Sequence, residues 1–332
     1  MKTCVIDVGG GNRGIYAAGV FDRLMDEGIT FDAGIGVSAG SANISSFCAG
    51  QRGRNYNFYT EYSMRKEYMS LSNLLKDGSY LDMDYIYGTL TESGGENPLD
   101  YKAMMESPMK LYIVATDGKT GKPRYFTKDD MSQDDYGPLK ASSSIPVICK
   151  PHFIDGIPYF DGAVGDPVPV KKAVELGYEK IVLILTRPEK QKRDSKMDET
   201  MSIRMRFKYP EAAKAFASRS KKYNEGVAYA KKLAKEGRLI IIAPDSIEGL
   251  GTLTKKPEQL DELYKKGYED GKKAVEFMKI PGFVPSPTGE NDESLLFNQE
   301  DLTKELFEEA KEDSEAEKEE KEKEEKKEKE EK

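Results

Sequence analysis

The chain has 332 residues and a net charge of −8, from 51 basic and 59 acidic side chains. An acidic chain without a basic cluster is a poor nucleic-acid binder, and no apolar run approaches the roughly 18 residues that a membrane span requires. Residues 1–7 do not resemble a secretory leader, so we expect a cytoplasmic protein. Three dispersed cysteines and one histidine lead us to expect no metal or cofactor.

The first fifty residues alternate between two patterns. Residues 3–8 and 31–37 are short apolar runs that predict buried strands, whereas residues 15–27 and 39–49 have helical spacing and are each followed by glycine. A strand–helix–strand–helix order predicts a parallel sheet covered by helices.

The alternation continues to about residue 277. Further strands are predicted at residues 109–116, 158–161, 180–186 and 239–243, an edge strand at 123–127, and helices at 210–237 and 256–277. We therefore expect an α/β fold with three layers, α/β/α, and a mainly parallel central sheet.

Two segments differ from this pattern. Residues 56–101 are rich in tyrosine and predict helices and loops inserted over one edge of the sheet. Residues 281–332 contain three prolines and then a Glu/Lys run that cannot form a core. We predict one domain over residues 1–280, with its motifs in about 2–243, followed by a linker and a disordered or solvated helical tail.

Residues 36–40 have the form G-x-S-x-G and lie between a predicted strand and a predicted helix. That context predicts a nucleophile elbow, in which a tight turn exposes a serine hydroxyl beside a helix N-terminus that favours negative charge. Ser38 is the candidate nucleophile. The elbow residues around it are Gly36, Val37, Ala39 and Gly40. The alternative is an ordinary turn of small residues.

A second glycine-rich segment follows the first predicted strand. Its members are Gly9, Gly10, Gly11, Asn12, Arg13 and Gly14. The segment also fits the dinucleotide pattern G-x-G-x-x-G, but such a site needs an acid at the carboxyl end of the second strand. Asp32 lies at the beginning of that strand instead. Neighbouring parallel strands end at one rim, so an oxyanion hole beside Ser38 is the better interpretation; a helix cap without function is the alternative.

A serine nucleophile needs a group that accepts its proton. His152 is flanked by a proline and an aromatic residue, which suggests a surface or packed imidazole. Asp161 follows a short apolar run and is the competing base, with Asp155 and Asp166 as nearby alternatives. An unperturbed aspartate has a pKa of about 3.9 and is a weak base, but it can serve when held close to the hydroxyl and partly desolvated.

In chain order, the glycine loop, the G-x-S-x-G turn and Asp161-Gly162-Ala163 resemble the three motifs of the patatin-like phospholipases. Residues 141–146, Ala-Ser-Ser-Ser-Ile-Pro, resemble a further block of that family. The resemblance covers about residues 2–170, more loosely to about 243, and is strongest to compact bacterial members. Val8 departs from the pattern, because the family often has an acidic or small residue there. The resemblance implies a Ser38–Asp161 dyad with the glycine loop as oxyanion hole.

The resemblance also implies a serine acyl hydrolase that cleaves phospholipid, lysophospholipid or acylglycerol esters through an acyl-enzyme. A catalytically silent lipid-binding or scaffold module of the same fold, and an esterase with a His152-dependent triad, are the alternatives. The tyrosine-rich segment is a candidate acyl-chain wall or lid. Membrane contact is expected to be transient and to rest on apolar residues or on Arg52, Arg54 and Lys66.

Overall fold

Within residues 1–280, which the structure, a computed structural model, describes, eight strands form one sheet. The strands are β1 Thr3–Asp7, β2 Ala33–Val37, β3 Lys110–Asp117, β4 Pro123–Thr127, β5 His152–Ile154, β6 Ile157–Asp161, β7 Lys180–Ile184 and β8 Leu239–Ile242. The predicted tail, residues 281–332, lies outside the described residues.

Eleven α-helices connect and cover these strands in the described part of the chain. They are α1 Ile15–Asp26, α2 Ala39–Cys48, α3 Arg54–Thr60, α4 Leu71–Asp77, α5 Tyr101–Glu106, α6 Gly137–Ser143, α7 Val170–Glu175, α8 Lys196–Ser202, α9 Pro210–Ala217, α10 Arg219–Lys235 and α11 Pro257–Lys279. Short 3₁₀ turns include Gly11–Gly14 and Gly162–Val164, and Tyr85–Thr89 is a π-helical turn.

The sheet order is β5-β6-β3-β2-β1-β7-β8, with β4 also paired to β3. The five strands β3, β2, β1, β7 and β8 are parallel to their neighbours. Strands β4 and β6 are antiparallel to β3, and β5 is antiparallel to β6. The predicted α/β class with a mainly parallel sheet is therefore confirmed, and the predicted edge strand at 123–127 has the same bounds as β4.

Apolar side chains bury both faces of the sheet. In β1, Val5 packs with residues of α1, α2 and α11, whereas Cys4 and Ile6 pack with residues of α7 and α10. Alternation along a strand sends successive side chains to opposite faces. The two helical layers follow from this alternation. No helix within residues 1–280 has both the length and the apolar composition needed to cross a bilayer.

The predicted helical region, residues 210–237, consists of two helices, α9 and α10, which are separated at Ser218. Strand β5 was not predicted, because it has three residues and none is fully buried. The first part of the tyrosine-rich segment packs on a helical face, since α3 contacts α1, α2 and α11. Further along the segment, Asp84 pairs with Lys140 of α6 at 2.5 Å and interacts with His152 of the edge strand β5.

Candidate active site

Ser38 occupies the turn between β2 and α2 with φ 57° and ψ −132°. A non-glycine residue rarely adopts positive φ, and such strain is typical of functional turns. Both flanking glycines are required by contact. A Cβ at Gly36 would collide with the backbone of Ser41, and a Cβ at Gly40 would collide with the backbone oxygen of Asp7. The predicted elbow therefore has the geometry that exposes a serine above a strand.

The elbow is held from the other side by Ser142 at the end of α6. The Ser38 backbone N–H donates to the Ser142 hydroxyl at 2.9 Å, and that hydroxyl donates to the Val114 carbonyl at 2.6 Å. Ser41 lies 2.8 Å from the same hydroxyl. The Ala-Ser-Ser-Ser-Ile-Pro block thus has a physical role, which is to fix the strained turn to strand β3.

Asp161 is brought to Ser38 by strand register. Val37 pairs with Val114 across β2 and β3, so Ser38 is level with Ala115, and Ala115 pairs with Asp161 across β3 and β6. Ser38 and Asp161 line one cavity, and the nearby Ser38 hydroxyl lowers the pKa of the Asp161 carboxyl. Asp161 is 4% exposed, and its Oδ1 accepts the Ala163 N–H at 2.8 Å. Gly162 is required here, because a Cβ would collide with the Val114 carbonyl.

Burial sets the basicity of Asp161. Desolvation raises the pKa of this carboxyl above its ordinary value, while the hydrogen bonds from Ser38 and Ala163 and the nearby charges of Arg219 and Arg193 lower it. The net direction is upward. An aspartate with a raised pKa is a stronger proton acceptor than a surface aspartate, which suits the predicted base.

The glycine loop lies against the elbow. Gly9, Gly10 and Gly11 all have positive φ, and a Cβ on Gly9 would lie 3.1 Å from the Ala39 nitrogen. Within residues 1–280, the amides of Gly10 and Gly11 have no hydrogen-bond acceptor. Two loop donors, and the first amide of α2 at Ala39, are therefore available beside Ser38 for a developing negative charge.

The remaining members of the predicted oxyanion segment have other contacts. The Asn12 amide donates to the Thr252 carbonyl at 2.8 Å, and its side chain donates to the Thr254 carbonyl at 2.8 Å. Gly14 packs against the Tyr59 hydroxyl, where a Cβ would not fit. Asn12 and Gly14 thus anchor the loop, while Arg13 lines a cavity described below.

Asp7 is a buried carboxylate that holds the glycine loop, and the sequence analysis did not identify it. Asp7, fully buried at the end of β1, accepts the Gly9 N–H at 2.9 Å and the Asn43 side-chain N–H at 2.9 Å. Asn43 in turn accepts the Tyr59 hydroxyl at 3.0 Å. Burial raises the pKa of Asp7 to about 7. The sequence signal for this role was an acidic residue at the end of the otherwise apolar, buried strand β1.

The other candidate bases lie elsewhere. His152 is in β5, where burial and Lys140 lower its pKa, and it lines neither cavity that Ser38 lines. Asp166 accepts the Tyr125 hydroxyl at 2.5 Å, and Asp155 is in the turn between β5 and β6. Asp32, considered for a ribose, accepts the Thr3 amide at 2.7 Å at the opposite end of β2.

Ser38 lies where two cavities meet. A narrow cavity of about 50 Å³ is lined in part by apolar side chains of the tyrosine-rich segment, among them Phe58, Leu81, Ile86 and Leu99. A wider cavity of about 500 Å³ contains both Ser38 and Asp161. Among residues 1–280 there is no group of three or more His, Cys, Asp or Glu side chains that could hold a metal ion.

The expected contribution of Arg54 to a membrane surface is wrong. Arg54 is buried and donates to the Ser46 hydroxyl at 2.9 Å and to the carbonyls of Asn97 and Pro98. Arg52 pairs with Asp26 at 2.7 Å. Arg54 therefore has its partners within the protein, whereas Arg52 and Lys66 are the exposed members of the predicted set.

Two family profiles match the chain. The profile described as Patatin-like phospholipase matches residues 8–174, which include Ser38 and Asp161. The profile described as a domain of unknown function, DUF6363, matches residues 209–279, which include α10 and α11.

The relatives share about half of this chain. Uncharacterized protein YjjU of Escherichia coli K12 is 30% identical over 192 residues, which are 56% of this chain and 52% of that protein. Lysophospholipase NTE1 of Candida albicans is 25% identical over 184 residues, 53% of this chain and 12% of that protein. The structure of VipD from Legionella pneumophila aligns at 14% identity with a TM-score of 0.40, over 83% of this chain and 66% of VipD.

Asp7 predicts a specific pH dependence of stability. The pKa of Asp7 is about 7 in the folded protein, above the ordinary value of 3.8. Between pH 3.8 and about 7, the folded state therefore keeps a proton on Asp7 that the unfolded state has released. Stability from this group is therefore lost as pH rises through that window, by at most about 1.4 kcal/mol per pH unit. In urea unfolding from pH 4.5 to 7.5, Asp7→Asn should remove this loss, so the wild type should decline relative to the variant.

Asp32→Asn is the matched control. Hydrogen bonds from Thr3 lower the pKa of Asp32. The contribution of Asp32 to the free energy of unfolding therefore changes with pH only below the ordinary pKa of an aspartate. This variant should run parallel to the wild type from pH 5 to 7. Parallel curves for Asp7→Asn as well would contradict the raised pKa of Asp7.

Proposed function

Because the chain belongs to the patatin-like phospholipase family, we propose that it is a serine acyl hydrolase that cleaves lipid esters with a Ser38–Asp161 dyad. The observation that carries this proposal is the strained Ser38, which strand register and a shared cavity bring beside the buried carboxylate of Asp161. A buried carboxylate beside a strained serine is a costly arrangement for a structural turn. It is the arrangement that a nucleophile and its base require.

The proposed reaction has two steps. Asp161 takes the proton of Ser38 while the hydroxyl oxygen attacks the ester carbonyl carbon, and the negative charge on the carbonyl oxygen is bound by the amides of Gly10, Gly11 and Ala39. The carbon–oxygen bond to the alcohol breaks, and the alcohol leaves with the proton from Asp161. Water, deprotonated by the same carboxylate, then attacks the acyl carbon. The carbon–oxygen bond to Ser38 breaks, the fatty acid leaves, and Asp161 returns the proton to the Ser38 oxygen.

The proposed acyl-chain site is the narrow apolar cavity. It adjoins Ser38 and is walled by side chains from the tyrosine-rich segment. Its volume of about 50 Å³ holds fewer than two methylene groups at rest, because one methylene occupies about the volume of a water, roughly 30 Å³. An acyl chain therefore requires the side chains of this wall to move apart.

Contact with a lipid surface is proposed through α4. Leu71 and Leu75 of this short helix are 70% and 86% exposed, and none of its residues is buried. The apolar side of α4 can enter a headgroup region transiently, without the electrostatic attraction that an acidic protein lacks. A silent lipid-binding module would share this surface, and activity at Ser38 separates the two functions.

The dyad predicts the reactivity of Ser38 toward a fluorophosphonate probe. The wild type should give a stoichiometric adduct on Ser38, located by mass spectrometry. Asp161→Asn should slow labelling by at least roughly a hundredfold, because the general base is lost. His152→Ala is the control and should label at close to the wild-type rate.

Circular dichroism should show that each variant is folded before its labelling is compared. Loss of labelling in His152→Ala would favour the triad esterase. The absence of an adduct on Ser38 in folded wild-type protein would favour the silent module and contradict the proposed hydrolase.

The acyl-chain site predicts a change in chain-length selectivity. Met83 lines the narrow cavity and is half-buried, so Met83→Trp should reduce the space for the chain. We expect the ratio of kcat/KM for a nitrophenyl octanoate to that for a butanoate to fall by roughly tenfold or more. Lys76→Trp, at an exposed position of α4, introduces the same side chain outside the cavity and should keep the ratio. An unchanged ratio in Met83→Trp would place the chain elsewhere.

A further inference from the structure

The side of the glycine loop away from Ser38 is formed by the chain that follows β7. Strand β1 lies between β2 and β7 in the sheet, and all three are parallel. Their carboxyl ends therefore lead to Ser38, to the glycine loop and to Thr186-Arg187 at one rim. The Thr186 hydroxyl donates to the Gly9 carbonyl, which joins the last two segments directly.

Four arginines line the wide cavity that contains Ser38 and Asp161. They come from separate parts of the chain: Arg13 from the glycine loop, Arg187 from the end of β7, Arg193 from the loop before α8, and Arg219 from α10. Four like charges repel one another in a shared cavity unless an anion compensates them. Burial and the neighbouring Arg187 lower the pKa of Arg13 to about 10. Burial, Arg219 and Arg187 lower the pKa of Arg193 to about 10 as well.

The protein compensates part of this charge. The buried Asp198 accepts both the Nε and the Nη2 of Arg219, and lies 3.8 Å from Arg193. Arg13 contacts the Thr252 hydroxyl at 3.3 Å, and in residues 1–280 neither Arg13 nor Arg187 has a carboxylate partner. With Asp161 and Asp198 both ionised, the cavity retains two positive charges in excess.

Two buried polar atoms at this cavity have no hydrogen-bond partner within the described residues. They are the Arg13 Nε and the Tyr223 hydroxyl, on side chains 7% and 5% exposed. Arg187 and Arg193 stack on the Tyr223 ring, with guanidinium carbons 5.7 and 5.5 Å from its centroid. A buried donor without an acceptor is costly, so these donors are explained by a ligand that supplies acceptors.

We propose that Arg13, Arg187, Arg193 and Tyr223 form a subsite for a phosphate monoester carried by the alcohol part of the ester substrate. This inference rests on the proposed hydrolase and specifies its substrate class. A phosphate monoester has nearly two negative charges and three acceptor oxygens, which match the two excess charges and the unpartnered donors. Guanidinium groups bind phosphate oxygens in pairs with defined geometry.

The subsite gives the second family segment a role. Ser38 and Asp161 lie within residues 8–174, whereas Arg187 and Arg193 follow that match and Tyr223 lies within residues 209–279. Tyr223 is on α10, which packs on α7 and β8. The patatin-like part thus supplies the reacting groups and Arg13, and the chain after it supplies the other three residues of the headgroup subsite. On hydrolysis, the acyl carbon–oxygen bond breaks and the phosphate-bearing alcohol leaves with the proton from Asp161.

Turnover and binding are measured on the same protein samples. Turnover compares kcat/KM for a monoacylglycerol phosphate and for the neutral monoacylglycerol with the same chain. Calorimetry measures the binding of glycerol 3-phosphate, with inorganic phosphate and glycerol as comparators. The wild type should prefer the phosphate ester at least tenfold and should bind glycerol 3-phosphate more tightly than inorganic phosphate.

Arg187→Gln should weaken glycerol 3-phosphate binding at least tenfold and lower the preference for the phosphate ester by a similar factor. Arg204→Gln, at an exposed position outside the cavity, removes the same charge and should keep both values. Equal effects of the two variants would overturn the subsite, as would inorganic phosphate binding as tightly as glycerol 3-phosphate without any ester preference.

The two hypotheses fail in different ways. Turnover of the neutral ester without glycerol 3-phosphate binding leaves the hydrolase standing and overturns the subsite. An absence of turnover on both esters and on a nitrophenyl ester contradicts the hydrolase. In that case, binding of glycerol 3-phosphate that is lost in Arg187→Gln still supports the anion site, and an absence of binding overturns it.

Discussion

The backbone of Ser38 is held at a positive φ that serine rarely adopts, and the rest of the site is arranged around this one residue. Such a conformation costs on the order of 1–3 kcal/mol. The hydrogen bond to Ser142 opposes that cost. Glycine at positions 36 and 40 leaves the space that this close turn requires. Strand register then brings Asp161 to the level of the hydroxyl. The site is thus a consequence of how β2, β3 and β6 are paired.

Two buried carboxylates at this rim differ in their surroundings. Asp7 accepts fixed donors from Gly9 and Asn43 and lies beneath the loop. Asp161 accepts the Ala163 N–H beside Ser38, and lines a cavity that a substrate can enter. Burial raises the pKa of both groups. Both carboxylates are buried, but their contacts give them different roles. Asp7 holds the glycine loop, whereas Asp161 is the proposed base.

Local patterns were sufficient to predict most of the sheet and the centre of the site. Apolar runs gave β1, β2, β3 and β7 to within about two residues, and the G-x-S-x-G turn marked the elbow at Ser38. The arginines of the wide cavity could not be found in this way. Arg187, Arg193 and Arg219 are far from the motifs in the chain, and only the sheet order and helix packing bring them to one cavity. The role of Asp7 likewise depends on Asn43, a contact 36 residues away.

The most direct test of the account is the pH dependence of kcat/KM on a soluble nitrophenyl ester. If Asp161 is the base, the rate should rise with pH along a single acid limb whose midpoint lies above the ordinary aspartate value of about 3.9, since burial raises the pKa of Asp161. The same limb should appear in His152→Ala. A limb that disappears or moves in His152→Ala, or a rate that does not depend on pH above 4, would contradict the Ser38–Asp161 dyad.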